Sequence, residues 1–373
     1  MRGLKVWWED LLSGVRPMLA KELRARSRGV RPAALLTLYL LAVAGGIAGV
    51  LWLVTRFFGA LSVQVGLWIF TALVIGSTLL LAAITPALTT GAISGERERK
   101  TLDLLLVTRA SPLGIALGKL LSSVVYVLYL LLATIPAFAL VYLFGGVPVP
   151  YVVTAILVAA TSAVAFAAVG LFFSALFRRT QVSTLVSYLV VLFVLFGLPI
   201  VGEVQRSLAQ EREPFRTRPQ GGPPPWYLSA SPLVALGSAF QGPEGEGLPI
   251  LGDLFRAITG TRMVSGAVAV PAVPGGVPAS ASMMYSSRPV SAAVALPGGL
   301  GGGVLPLRQS YLISPQTPGG EPRVVTALAP WVQHLLISLG TAGVAVAGAA
   351  WRLGGSGNLR AWLRRRPRVP AGP

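Results

Sequence analysis

Six apolar runs, at residues 33–54, 63–85, 120–144, 151–177, 181–201 and 331–351, contain no Asp, Glu, Lys or Arg. Each is long enough to cross the hydrocarbon core of a bilayer, which takes about 20 residues as an α-helix. Backbone N–H and C=O groups in hydrocarbon have to be satisfied internally, and a helix does this within one segment. The runs therefore predict an all-α membrane protein with six transmembrane helices. Bulk composition agrees: 54% of the 373 residues are hydrophobic and 12% are charged, against about a quarter charged in soluble domains. Pro136 inside the third run and Pro199 near the end of the fifth each predict a kink.

The net charge of +18 suggests nucleic acid until its placement is examined. With the N-terminus in the cytoplasm, segments 1–32, 86–119, 178–180 and 352–373 share that side and hold 21 of the 31 basic residues, against six acids. Short cytoplasmic segments rich in Lys and Arg are what sets the orientation of membrane proteins. The charge thus predicts a multi-pass protein of the cell membrane with both termini cytoplasmic and the lipid bilayer, not nucleic acid, as its partner. With no cysteine in the chain, whatever lies outside the cytoplasm holds together without disulfides.

The chain divides around the spans. In residues 1–32, Leu4, Trp7, Trp8, Leu11, Leu12 and Val15 fall on one helical face with two indoles, followed by basic residues. This predicts a cytoplasmic interfacial elbow helix, not a secretory signal. Residues 33–201 hold spans one to five, 331–351 the sixth span, and 352–373 a basic cytoplasmic tail. Between them, residues 202–330 form a long extracytoplasmic, Gly/Pro-rich loop. Short helices are expected in it at 231–240 and 251–258, lying on the outer membrane surface, and its 271–322 portion, rich in Gly, Pro, Ser and Ala, cannot bury much of a core and is expected to stay flexible. His334, the one histidine, is expected at the outer interface.

The segment 86–119, between spans two and three, carries the densest charge cluster near the middle of the sequence. Its residues 96–107 read as one amphipathic helix. Glu96 and Lys100, and Arg99 and Asp103, are four apart and able to pair. Leu102, Leu105 and Leu106 make an apolar stripe, and Glu96 and Glu98 sit in the first turn, where the helix dipole favours negative charge. Ser111-Pro112 then reads as a cap with proline at the first position of the next helix. The residues singled out for binding a partner are Glu96, Arg97, Glu98, Arg99, Lys100, Thr101, Leu102, Asp103, Leu105 and Leu106. From the residues alone, a docking helix and a plain connector between two spans stand equal.

Catalytic chemistry is sparse. One His and no Cys give little for a transition-metal or His-based nucleophilic site. Gly114 to Leu120 imitates a phosphate loop but has the wrong glycine spacing, and Leu120 stands where Ser or Thr would bind magnesium. Spans without ionisable groups other than His334 offer nothing with which to load a proton or balance an ion. Uphill movement of a substrate would need energy delivered by another protein. Two other classes fit the same composition: a membrane scaffold that recruits a cytoplasmic protein without transport, and an intramembrane lipid-modifying enzyme. For the latter, the outer acids Glu203, Glu211, Glu213 and Asp253 form no constellation.

Gly95 to Leu105 (GERERKTLDLL), followed by Ser111-Pro112 and Gly118-Lys119-Leu120, resembles the permease (transmembrane) subunit of ABC-2-type transporters. Pro17 to Arg24 (PMLAKELR) resembles the elbow that precedes the first span in that family. The resemblance implies that 96–107 is a coupling helix contacting a separate cytoplasmic ABC ATPase. ATP and Mg would then be bound by that partner, with no cofactor on this chain. It further implies that a second permease subunit, identical or different, completes the translocation path, with export as the expected direction. The chain itself would not be an enzyme.

Overall fold

The computed structural model describes residues 19–20, 24, 30–58, 63–102, 111–143, 147, 149–212, 223–240, 255, 307–313 and 323–364. Among them, six helices are long and apolar enough to cross a membrane: Pro32–Arg56, Val65–Glu98, Pro112–Tyr142, Val149–Leu176, Thr180–Leu208 and Pro330–Gly354. The elbow expected in 1–32 falls almost wholly outside the described residues, as do most of the 241–306 stretch and the end of the basic tail.

The first span is α1 (Val30–Phe58), the second α2 (Val63–Thr89), and the short α3 (Ser94–Glu98) follows. The third span breaks where its proline predicts. α4 (Pro112–Ala133) ends and α5 (Ile135–Leu143) begins across Thr134, two residues before Pro136. The fourth span is α6 (Val149–Leu176). The fifth runs as α7 (Thr180–Leu192), a π-helical turn at Phe193–Gly197, and α8 (Leu198–Arg212). Proline at 199 explains the turn: it has no N–H for the carbonyl of Leu195 and crowds it. The helix widens so that the Leu198 amide bonds to the Phe193 carbonyl. The sixth span is α10 (Pro330–Arg364), which lies along α6.

Two of the helix boundaries that differ from the apolar runs bear on the site. α2 continues through Pro86 to Thr89, and α4 begins at Pro112, so Lys119 belongs to the spanning helix rather than to the loop before it. Ser111 caps α4 as its sequence indicates, accepting the Gly114 amide at 3.0 Å.

The largest buried cluster gathers Phe70 of α2, Phe138 of α5, Tyr39 of α1 and Val158 of α6. A second, near α3, joins Ile93, Leu102, Ile115, Leu171 and Ala349. Outward faces remain apolar: Leu38, Leu41 and Trp52 on α1 and Leu185, Leu189 and Phe193 on the fifth span are exposed, as helices surrounded by hydrocarbon require.

The 202–330 segment departs furthest from its expectation. Residues 226–230 form a 3-10 turn, and α9 (Pro232–Ala239) follows with all eight residues buried. It packs against α6 and α10, inside the bundle and not on a membrane surface. Of the 251–258 stretch only Phe255 is described; it is helical and packs on Leu228 and Val234. An antiparallel hairpin, β1 (Arg308–Ile313) with β2 (Arg323–Leu328), pairs Arg308 with Leu328 and leads directly into α10. The Gly/Pro-rich loop, expected to stay flexible over 271–322, thus contributes Arg308–Ile313 to a two-stranded sheet.

Candidate functional site

The polar, charge-dense end of the bundle is built around α3. The turn that delivers it is held by a hydroxyl from α6: Ser174 Oγ accepts the backbone amides of Ile93 and Ser94, both at 2.9 Å. Those amides open α3 and have no carbonyl of their own helix to bond. Ser94 Oγ in turn donates to the Thr90 carbonyl at 2.7 Å and lies 3.0 Å from Thr180 Oγ1. Ile93 and Ser94 are fully buried, so α3 is seated in its own bundle by its first residues.

The next three side chains each go to a different span. The Glu96 carboxylate meets Lys119 Nζ of α4 at 2.7 Å, with Lys119 nearly enclosed at 3% side-chain exposure. The Arg97 guanidinium donates to the Phe177 carbonyl at 3.1 Å and to the Ala175 carbonyl at 3.3 Å. These belong to the end of α6, where a helix exposes unpaired carbonyls and the negative end of its dipole. Glu98 accepts the Thr180 amide at 2.7 Å. That amide opens α7, whose N-cap residue, Arg179, makes no side-chain cap bond, so Glu98 supplies from another loop the acceptor that the local sequence lacks. Three consecutive residues therefore tie the ends of spans three, four and five to one short turn.

This overturns the single helix expected over 96–107. α3 stops at Glu98, and Lys100 takes a left-handed conformation with φ of 57°, uncommon for a residue with a side chain. The Lys100 amide bonds to Arg97 O and the Thr101 amide to Glu96 O, which closes the helix and turns the chain. Glu96 consequently pairs with Lys119, 23 residues away. Leu102 does not lie on an outward stripe: at 6% exposure it belongs to the cluster with Ile93, Ile115 and Leu171. Asp103, Leu105 and Leu106, with the Arg99–Asp103 pair, lie outside the described residues. The tip left facing outward is Glu98, Arg99, Lys100 and Thr101, flanked by exposed Arg178 and Arg179.

Sequence reasoning identified the charged triplet but missed its partners, because Thr180 and the carbonyls at 175 and 177 are about 80 positions away and Lys119 is 23. It placed His334 at an interface, whereas the side chain is 1% exposed and hydrogen-bonded inside the bundle.

No curated protein matches the chain. The family model described as ABC-2 family transporter protein matches residues 19–248, which takes in α3, the triplet and the first five spans. A match over more than half of its length places this chain in the ABC-2 transporter family.

Proposed function

We propose that the chain is the membrane-spanning permease subunit of an ATP-driven exporter in the cell membrane, worked from the cytoplasm by a separate ABC ATPase that binds the ATP and Mg. A second permease subunit completes the path. The distribution of basic residues supports cytoplasmic termini with α3 on the same side. The observation that carries the reading is the exposed tip at Arg99, Lys100 and Thr101, joined through Glu96, Arg97 and Glu98 to three spans. A protein gripping that tip would move those spans together, which is what converting a partner's ATP cycle into helix movement demands. Asp103, Leu105 and Leu106 are proposed to contact the same partner, whereas Leu102 roots the turn in the bundle.

Arg99→Glu combined with Lys100→Glu tests the docking role on side chains the fold does not use. The full chain, purified from its own membrane, should bring down a phosphate-loop ATPase, and the charge-reversed chain should insert normally without it. Retention of that ATPase by the reversed chain would place docking elsewhere.

A further inference from the structure

α10 runs well past the part of it that spans. Its 35 residues measure about 52 Å at 1.5 Å per residue, against a hydrocarbon core of about 30 Å. The apolar window within it closes at Gly354. Side chains mark where the helix leaves the bundle: Ala349, Ala350 and Leu353 are buried in the cluster near α3, while Trp351 and Arg352 face outward. An exposed indole beside an arginine is the pattern of a headgroup boundary. From Arg352 the helix continues to Arg364, about 18 Å further on. The docking of an ATPase at α3 makes no use of this stretch.

Its chemistry is one-sided. Residues 352–368 contain six arginines, at 352, 360, 364, 365, 366 and 368, and no acid. The same end of the bundle presents Arg97, Arg99, Lys100, Arg178 and Arg179. Its two described acids are already engaged, Glu96 by Lys119 and Glu98 by the Thr180 amide. With 21 basic residues against six acids over that whole side, the counter-charge has to come from outside the chain. Leu359, Trp362 and Leu363 are spaced i, i+3, i+4 and so share one helical face, with Arg360 and Arg364 on its flank. Charge alone would serve a nucleic acid; the apolar face adds what a lipid surface takes and a phosphate backbone does not. Gly354, Gly355, Ser356 and Gly357 lie between the spanning part and this face. Glycine is a poor helix former, so the helix bends most readily there, and a bend lays 358–364 along the membrane instead of out into water.

We propose that residues 358–368 are a docking surface for anionic phospholipid headgroups, hinged to the sixth span at residues 354–357. Arg360, Arg364, Arg365 and Arg366 supply the charge and Leu359, Trp362 and Leu363 the apolar face. Lipid docking of this stretch stands whether or not an ATPase grips α3, and on whichever side of the membrane α3 lies.

Hydrogen exchange with mass spectrometry on the full chain in nanodiscs reads the docking. With about one-third phosphatidylglycerol in phosphatidylcholine, amides at 358–364 should exchange about tenfold more slowly than in phosphatidylcholine alone. That is modest beside the roughly fivefold that each arginine near an anionic surface contributes to binding. Residues 340–350 of the same helix should exchange equally in both lipids. Arg360→Gln, Arg364→Gln, Arg365→Gln and Arg366→Gln together should abolish the difference. Equal exchange at 358–364 in the two lipids, or a difference that survives the four substitutions, would overturn lipid docking. So would protection that appears only when a short RNA duplex is added, which would assign the stretch to nucleic acid. Should the substituted chain fail to accumulate, about 0.5 M salt screens the same charges on the unchanged chain. It should remove most of the difference, and persistence of the full difference in salt counts against docking in the same way.

Discussion

The Glu98 carboxylate and the Thr180 amide, 82 residues apart in the chain, meet at 2.7 Å. The bond ties the start of the fifth span to the turn after the second. Between the two residues run the third and fourth spans, so this contact and its neighbours at Glu96 and Arg97 close the α3 end of the bundle into one body.

Replacing that acceptor should loosen the fifth span locally. Glu98→Ala is expected to cost about 1 kcal/mol, as loss of an N-cap does, and to speed amide exchange at residues 180–184 about fivefold. Glu98→Gln keeps an oxygen and loses the charge that suits a helix N-terminus, and should fall between. Hydrogen exchange with mass spectrometry reads both; equal exchange in all three chains would show that Glu98 caps nothing.

Glu96 and Lys119 should behave as a coupled pair. Lys119 is nearly enclosed, so Glu96→Gln leaves a buried ammonium short of its counter-charge and should cost about 1–3 kcal/mol, the lower range reflecting a partly exposed carboxylate. Lys119→Met in the Glu96→Gln background should recover much of that loss. Melting of the four chains of this cycle in detergent measures the coupling, and additive losses would mean the pair is incidental.

Gly170 of α6 lets the second span approach closely: a Cβ there would lie 2.1 Å from Thr89 Oγ1 and 3.2 Å from Thr89 Cβ. Thr89 cannot swing away freely, because it is β-branched and its hydroxyl bonds to the Thr85 carbonyl. Gly170→Ala should therefore destabilise by about 1–3 kcal/mol, and Thr89→Ala in the same chain should restore the melting temperature. Failure of that rescue would point to a cause other than the clash.

The spans were legible because run length and apolarity depend on nothing beyond the segment itself. The kink before Pro136 and the Ser111 cap were legible for the same local reason. The site was legible only as a charged patch. Arg97 carries no mark showing that it will serve carbonyls at 175 and 177, and a good i,i+4 spacing at Glu96 and Lys100 lost to a buried lysine on another helix. Lys100 shows the limit most directly: glycine announces a left-handed turn, lysine does not. The 232–239 helix looked like surface because eight residues between loops are too few to span. Its burial comes from apolar packing against distant spans: Ala235, Leu236 and Ala239 join the largest buried cluster, and Leu233 packs with Phe166, Val191 and Leu195.

The central claim is that a cytoplasmic ATPase grips the tip of the α3 turn. Thr101→Cys, the sole thiol in the otherwise cysteine-free chain, can be tested for this directly in inside-out vesicles with a short thiol-to-amine crosslinker, followed by mass spectrometry of the product. The account predicts a crosslink to a phosphate-loop ATPase that changes in yield when ATP is added. A thiol at 101 that reacts only from the opposite face of the membrane, or that never joins an ATPase while the complex stays intact, would contradict it.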